Sequence, residues 1–97
     1  MKEFEGRVAV VTGAASGIGL ALAERFAEAR MHVVMADIQE DALERAVRKL
    51  EERQTRVIGA VCNTMLKESV QALAERAIAE FGKVHVLCNN AGVAATR

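Results

Sequence analysis

The sequence lacks several residue types, and each absence removes a class of function. Its 97 residues include no proline, tryptophan or tyrosine, so no tyrosine phenol serves as an acid or base in this chain. The two cysteines, Cys62 and Cys88, are too few and too far apart for a disulfide scaffold or a four-ligand zinc site. We interpret both as small buried hydrophobic side chains. His32 and His85 stand where strands are predicted to begin, away from the end of a parallel sheet that binds ligands, and the sequence predicts no metal site.

An excess of charge of either sign is also missing. Lysine plus arginine number 13 and aspartate plus glutamate number 13, which gives a formal net charge of +0 and argues against binding to nucleic acid or an anionic membrane surface. No apolar run approaches the ~20 residues of a membrane span. The first residues mix charges where a secretory signal would place an apolar stretch, so we predict a cytoplasmic location. With 52% hydrophobic and 27% charged residues, the composition is typical of a compact folded domain.

Four short apolar runs alternate with three helical patterns along the chain. The apolar runs cover residues 8–11, 32–36, 56–61 and 83–88, and the helical patterns begin at residues 17, 42 and 70. Continuous short apolar runs are typical of strands that are covered on both faces. The order β-α-β-α-β-α-β therefore predicts an α/β fold with a parallel sheet and right-handed crossovers.

The predicted helices differ in whether a glycine is present to end them. Gly82 follows the third helix and readily adopts the left-handed conformation that ends a helix. The first and second helices end near Arg30 and near residues 54–55, without a glycine. A residue with a Cβ in the left-handed conformation costs on the order of 1 kcal/mol relative to glycine, so we predict poor joints at both places. Three methionines are predicted to fill the core: Met31, Met35 and Met65.

A glycine-rich turn separates the first predicted strand from the first predicted helix. Residues 12–19 read Thr-Gly-Ala-Ala-Ser-Gly-Ile-Gly, a G-x-x-x-G-x-G spacing rather than the commoner G-x-G-x-x-G. Gly13 allows a tight exit from the strand, while Gly17 and Gly19 remove side chains that would block a ligand or the contact between helix and strand. Such a turn directs main-chain N–H groups and the positive end of a helix at a diphosphate. A plain tight turn without a ligand is the alternative interpretation.

An acidic residue ends the second predicted strand. Asp37 comes 18 residues after Gly19, close to the ~20-residue interval at which a carboxylate meets an adenosine ribose. A carboxylate there accepts both ribose hydroxyls and repels a 2′-phosphate, and neither Ser16 nor Ile38 supplies a cation to neutralise that phosphate. The sequence therefore favours NAD over NADP. The alternative is an exposed aspartate that caps the next helix.

These motifs together resemble the short-chain dehydrogenase/reductase family. Residues 12–19 look like the family's cofactor loop, residues 89–92 (Asn-Asn-Ala-Gly) look like its fourth-strand motif, and the spacing of both to Asp37 fits. The resemblance covers essentially the whole chain. It implies a doubly wound Rossmann-type sheet with strand order 3-2-1-4 and a bound dinucleotide.

The resemblance also implies which residues meet the cofactor. Asn63 departs from the family pattern, which usually has aspartate there, and its amide oxygen can still accept a hydrogen bond from the adenine amino group. The implied residues are Gly13, Ser16, Gly17, Ile18 and Gly19 at the diphosphate, Asp37 at the ribose, Asn63 and Thr64 at the adenine edge, and Asn90, Ala91 and Gly92 beside the cofactor.

The resemblance does not extend to the catalytic residues of the family. The family's acid–base unit is a serine followed later by Tyr-x-x-x-Lys, and this chain contains no tyrosine. We therefore expect residues 1–97 to be a partial Rossmann NAD-binding domain without the C-terminal catalytic half, taken from an enzyme that moves hydride between NAD(H) and an alcohol or carbonyl. A stand-alone nucleotide-binding module and a non-catalytic interaction or truncation product are the alternatives.

The fourth strand is predicted to lie at an edge of the sheet. Val84, Val86 and Cys88 would then border unpaired backbone and an uncovered sheet face. We predict self-association through this strand, as a dimer, a swapped assembly or an aggregation-prone chain.

Overall fold

A computed structural model of the chain describes residues 4–53 and 56–89. Strands and helices alternate throughout, as the apolar pattern predicts. The strands are β1 (Val8–Thr12), β2 (His32–Asp37), β3 (Val57–Val61) and β4 (Val86–Asn89), and the helices are α1 (Gly17–Glu28), α2 (Glu40–Glu51) and α3 (Lys67–Phe81).

The four strands form one parallel sheet in the order β3-β2-β1-β4. Val10 of β1 lies between Val34 of β2 and Leu87 of β4, and this register is kept along each pair. The chain winds outward from β1 through β2 to β3 and then crosses back to β4. The predicted α/β class and the strand order 3-2-1-4 are thereby confirmed. In such a sheet the carboxyl ends of the strands flank a crevice where the winding reverses, which in this chain is between β1 and β4.

Helices cover both faces of the sheet, and each face has its own hydrophobic core. On one face α1 and α2 pack against β1, β2 and β3 through side chains that include Val11, Met35 and Leu50. On the other face α3 packs alone, and its Leu73 belongs to a smaller cluster with Val34. All five residues of β1 are buried because both faces are covered there, which explains the continuous apolar run.

The fourth strand begins later than its apolar run predicts. Residue 83 starts the run, but β4 itself begins at Val86. His85 lies just before it, and the Val8 N–H donates to the imidazole Nδ1 at 3.0 Å, while the His85 N–H donates to the Val8 carbonyl at 2.9 Å. The imidazole therefore takes the place of the main-chain carbonyl that a longer β4 would supply.

The two helix ends with clear predictions behave as the sequence indicates. Arg30 has φ 65°, the left-handed conformation, although its side chain carries a Cβ. Gly82 has φ 87° and its N–H donates to the Ile78 carbonyl at 2.7 Å. The end of the second predicted helix, residues 54–55, lies outside the described residues; α2 itself ends at Glu51.

One of the three methionine predictions is wrong. Met31 and Met35 are buried as expected, but Met65 is 80% exposed. It lies in the turn between β3 and α3 rather than on either element, so no neighbouring layer covers it. The cysteines follow the prediction in part, because Cys62 is buried and Cys88 is half-buried. They belong to the cores on opposite faces of the sheet.

The exposed apolar residue of β4 is also not among those that the sequence predicts. Leu87 is 65% exposed on the α3 face. Val86 and Cys88 are only half-buried, since they point to the α1 face, where Cys88 packs against the larger core. Val84 is exposed as predicted, but it precedes the strand. In the described part of the chain, every helix is too short or too polar to traverse a lipid bilayer.

Candidate functional site

The turn between β1 and α1 depends on two glycines in the left-handed conformation. Gly13 has φ 64° and Gly17 has φ 60°. Apart from its chain neighbours and the backbone of α1 itself, no atom of the described residues lies within 4 Å of a Cβ built on Gly17. The backbone conformation, and not lack of space beside these residues, therefore requires glycine there. The prediction that Gly17 leaves room for a ligand stays a prediction.

The first turn of α1 is open to solvent. Ser16 precedes the helix with an extended backbone, its hydroxyl caps no N–H group, and the first turn contains no acidic residue. The first main-chain bond of the helix runs from Leu20 N–H to the Ser16 carbonyl at 3.3 Å. Ser16, Gly17 and Ile18 are exposed, whereas Gly19 is buried. The N–H groups that begin a helix have no partner within it, so this turn offers donors and partial positive charge to an anion.

Asp37 connects the glycine turn to the end of β2. Its Oδ2 accepts the Ala15 N–H at 3.1 Å, and its Oδ1 accepts the Gln39 N–H at 2.9 Å. The carboxylate is half-buried at the last position of β2. The alternative interpretation, an exposed aspartate that caps the next helix, does not describe Asp37: the residue is half-buried, and α2 begins after Gln39 without a side-chain cap. The carboxylate instead holds the turn at Gln39 and the loop that follows β1. Both predicted ligand-binding segments thus meet at one carboxyl group.

A third segment joins them after β3. The Cys62 N–H donates to the Asp37 carbonyl at 3.0 Å, which brings the β3 end beside the β2 end. Asn63 follows, with its N–H on Ser69 Oγ at 2.9 Å and its Oδ1 accepting the Met65 N–H at 3.0 Å. Thr64, in the same turn, is half-buried.

These three segments enclose a cleft of about 230 Å3 at the carboxyl ends of the strands. Four of the predicted site residues line it, whereas Ser16, Gly17, Ile18 and Gly19 lie at the adjoining start of α1. The lining residues are Gly13, Asp37, Ile38, Cys62, Asn63, Thr64 and Met65.

Three of the lining residues were not among the predicted site residues: Ile38, Cys62 and Met65. Ile38 and Met65 are both exposed apolar side chains, and they place a hydrophobic surface at the cleft. Each comes within four residues after the end of a strand, and that position in a parallel sheet is the signal that could have indicated them.

The end of β4 approaches the same edge of the sheet. The Thr12 hydroxyl lies 3.1 Å from Asn89 Oδ1, across the β1–β4 pair where the winding reverses. Asn90, Ala91 and Gly92, which the sequence predicts beside the cofactor, lie outside the described residues.

The arrangement suits a ligand with three different parts. Helix N–H groups bind anions, a carboxylate accepts from hydroxyl groups, and the cleft combines apolar side chains with one amide. Within residues 4–53 and 56–89, no group of three histidine, cysteine or acidic side chains is placed to hold a metal ion.

Comparison with known sequences adds an independent observation. The profile of the short chain dehydrogenase family matches residues 7–97. A 1-deoxy-11-beta-hydroxypentalenate dehydrogenase of Streptomyces exfoliatus is 51% identical over 90 residues, which cover 93% of this chain and 33% of that protein.

Solved structures agree with the sequence comparison. A short chain dehydrogenase/reductase from Burkholderia phymatum in complex with NAD has a TM-score of 0.86 and 48% identity, over 90% of this chain and 31% of that one. An L-sorbose reductase from Gluconobacter frateurii, complexed with NADPH and L-sorbose, has a TM-score of 0.85 and 41% identity, over 89% and 33% of the two chains. This chain thus spans about a third of the length of the proteins that it matches.

Proposed function

The chain belongs to the short chain dehydrogenase family, and from that membership we propose that it is the NAD-binding part of an oxidoreductase. The complete enzyme would transfer hydride between NAD(H) and an alcohol or carbonyl substrate. The observation that carries this proposal is the 3.1 Å bond between Asp37 Oδ2 and the Ala15 N–H. It brings the carboxylate proposed for the ribose against the loop proposed for the diphosphate, two parts that are adjacent in a dinucleotide.

Each part of the cofactor has a proposed set of residues. The diphosphate would lie at Gly13 and at the first turn of α1, and the ribose hydroxyls at Asp37. The adenine would enter the cleft beside Asn63 and Thr64, where exposed apolar side chains offer a surface for a flat ring. Residues 90–92 would lie further along the cofactor. When bound, the cofactor supplies the hydride chemistry; this chain binds and orients it.

We propose NAD rather than NADP as the preferred cofactor. Family membership does not decide this point, since one similar structure contains NAD and another contains NADPH. The charge at the ribose position supports NAD, because the Asp37 carboxylate would face a 2′-phosphate of the same sign. The neighbouring Ser16 and Ile38 carry no positive charge that could offset it.

Hydride transfer by these 97 residues alone is not part of the proposal. The family's Tyr-x-x-x-Lys unit has no counterpart in a sequence without tyrosine, so we propose that this chain binds cofactor without turning over substrate. A nucleotide-binding module without redox chemistry is the second candidate, and the same open binding turn favours it. A cytoplasmic location belongs to the proposal as well, supported by the two free cysteines, which are usual in a reducing compartment.

We also propose that the chain associates with a second copy of itself through β4. An apolar groove of about 300 Å3 runs between α3 and the β1–β4 pair, and none of the described residues that line it is charged. Leu87 and Val84 are among them. An uncharged groove beside an edge strand fits the same uncharged groove on another copy, with the two β4 strands paired across a two-fold axis.

The cofactor proposal is tested by titrating the folded chain with NAD and with NADP. Amide signals of residues 13–19 and 37 are expected to move with NAD in a nuclear magnetic resonance titration. A ligand at 100 times its Kd stabilises the native state by about 2.7 kcal/mol, and a ligand with a higher Kd stabilises it less at the same concentration. Because we propose that NAD has the lower Kd, NAD is expected to raise the Tm more than NADP at equal concentration. Equal shifts would refute the NAD preference, and a saturating titration without any shift would refute dinucleotide binding itself.

A further inference from the structure

Asn63 is held in place by three hydrogen bonds. Its main-chain N–H donates to Ser69 Oγ at 2.9 Å, and its carbonyl accepts the Leu66 N–H at 3.0 Å. Its side-chain Oδ1 accepts the Met65 N–H, also at 3.0 Å. Main chain and side chain are thus both fixed at the point where Asn63 lines the cleft.

The bond to Met65 determines which way the amide faces. A main-chain N–H is a donor, so the atom that it meets must be the oxygen and not the amino group. The Nδ2 amino group is the polar atom that remains for a ligand, and it has no hydrogen-bond partner within the described residues. Rotating the amide by a half-turn would place two donors against each other and break the Met65 bond. Asn63 therefore presents chiefly a donor to the cleft, and its oxygen keeps one lone pair.

The 6-position of a purine distinguishes two classes of dinucleotide by the direction of the hydrogen bond. Adenine carries a 6-amino group, which donates, and hypoxanthine carries a 6-oxo group, which accepts. On the premise of the proposed function, in which Asn63 meets this edge of the base, we propose that Asn63 is a specificity-determining residue. It relaxes selection for adenine and allows the cleft to take a dinucleotide with a 6-oxo purine.

The reason lies in the chemistry of position 63. A carboxylate there could give one oxygen to the Met65 N–H and still present a second acceptor to a 6-amino group, whereas it would repel a 6-oxo group. The Asn63 amide replaces that second acceptor with a donor. It pairs with a 6-oxo group without moving, and it pairs with a 6-amino group only by sharing the oxygen that Met65 already uses.

The test compares NAD with nicotinamide hypoxanthine dinucleotide, on the wild-type chain and on Asn63→Asp. The measured quantity is the ratio of the two dissociation constants in each protein, from calorimetric or fluorescence titration. The Kd of the hypoxanthine dinucleotide divided by the Kd of NAD is expected to rise about tenfold in Asn63→Asp. The substitution removes the donor that pairs with the 6-oxo group and supplies an acceptor for the 6-amino group. The two dinucleotides carry the same charge, so the effect of the added carboxylate on overall affinity cancels in the ratio.

Gln71→Glu is the matched control, since it makes the same change from amide to carboxylate on an exposed position of α3 away from the cleft. Its ratio is expected to equal that of the wild type. A ratio that is the same in Asn63→Asp and wild type overturns the inference and leaves the proposed function intact. Absence of binding by both dinucleotides to the folded wild type overturns the proposed function, and the inference with it.

A second measurement keeps the inference testable if Asn63→Asp fails to fold. In the 15N-labelled wild-type chain, the side-chain NH2 signals of Asn63 are expected to shift further with the hypoxanthine dinucleotide than with NAD. Signals that respond equally to both, or to neither while main-chain signals of the cleft move, would contradict the assignment.

Discussion

Asp37 combines the charge that we propose selects between cofactors with two hydrogen bonds that shape the loop. Asp37→Asn removes the charge and keeps one acceptor oxygen, so it isolates the electrostatic contribution better than a change to alanine. We expect the ratio of NADP affinity to NAD affinity to rise about tenfold, since the repulsion of a 2′-phosphate is removed. Titration calorimetry with both cofactors measures this ratio.

Asp41→Asn provides the comparison for charge alone. Asp41 is exposed in the first turn of α2, four positions further along the chain. The same loss of charge there is expected to leave the cofactor ratio unchanged. If the two variants alter the ratio equally, a general effect of net charge explains the preference and Asp37 has no special role.

Among the residues that the structure describes, Arg30 is the one residue other than glycine with a positive φ. Its φ of 65° suits glycine, while its N–H donates to the Ala27 carbonyl and its own carbonyl accepts the Gly6 N–H. Arg30→Gly keeps both main-chain bonds and removes the Cβ, so the free energy of unfolding is expected to rise by about 1 kcal/mol. Urea denaturation of the two proteins measures the difference.

An arginine-to-glycine substitution within a helix is expected to lower the free energy of unfolding instead of raising it. Arg45 is exposed in the middle of α2, and Arg45→Gly should lower the free energy of unfolding by about 1 kcal/mol. Two losses of similar size would mean that the Arg30 side chain stabilises its turn by more than the left-handed backbone costs, which would contradict the expected gain.

At the scale of elements, the hydrogen bonding between β1 and β4 is extended by a side chain, the His85 imidazole, just before β4 begins. The buried Val8 N–H has the His85 imidazole as its acceptor. His85→Ala leaves that donor without a partner, which costs about 1–3 kcal/mol of unfolding free energy. His85→Asn places an oxygen near the position of Nδ1, so most of this loss should be restored, and thermal or urea unfolding compares the variants.

Lys83→Ala serves as a reference for changes in the same segment, because Lys83 is exposed. It is expected to alter stability by less than about 0.5 kcal/mol. The assigned role of the imidazole is wrong if His85→Asn loses as much stability as His85→Ala.

At the scale of the whole molecule, the two edges of the sheet are unequal. Helices α2 and α3 flank β3 on its two faces, whereas beside β4 there is an apolar groove on each face, of about 300 Å3 and about 370 Å3. We expect a dimer at micromolar concentration in light scattering coupled to size exclusion. Leu87→Lys should shift it to monomer, since a charge would enter the uncharged groove.

Val61→Lys is the control at the other edge, where Val61 is also an exposed apolar residue of a terminal strand. It should leave the dimer intact. A monodisperse wild-type monomer would contradict the self-association proposal, and loss of the dimer in Val61→Lys alone would move the interface to β3.

Much of the architecture could be predicted from the sequence because its signals are local or topological. The apolar runs and the glycine turn determine element type and order, and parallel connectivity then brings the ends of β1, β2 and β3 to one edge. What could not be predicted depends on contacts between distant residues. The pairing of Val8 with His85 shortens β4, and the bond from Ala15 to Asp37 joins two motifs that the sequence shows only as separate.

The exposure of Met65 escaped prediction for a related reason. Composition marks methionine as a core residue, but whether a layer covers a given turn is a property of the assembled fold. The roles of Asn90, Ala91 and Gly92 rest on the resemblance, and those residues lie outside the described part of the chain.

Each oxygen of Asp37 accepts one main-chain N–H and keeps a lone pair, and this has a thermodynamic consequence for binding. A sugar hydroxyl that donates to the remaining lone pair of Oδ2 would share that oxygen with the Ala15 N–H, which weakens the Ala15 bond and makes this N–H a better donor for a neighbouring anion. Adenosine and inorganic diphosphate, supplied as separate molecules, should therefore bind cooperatively, each lowering the Kd of the other by the same factor.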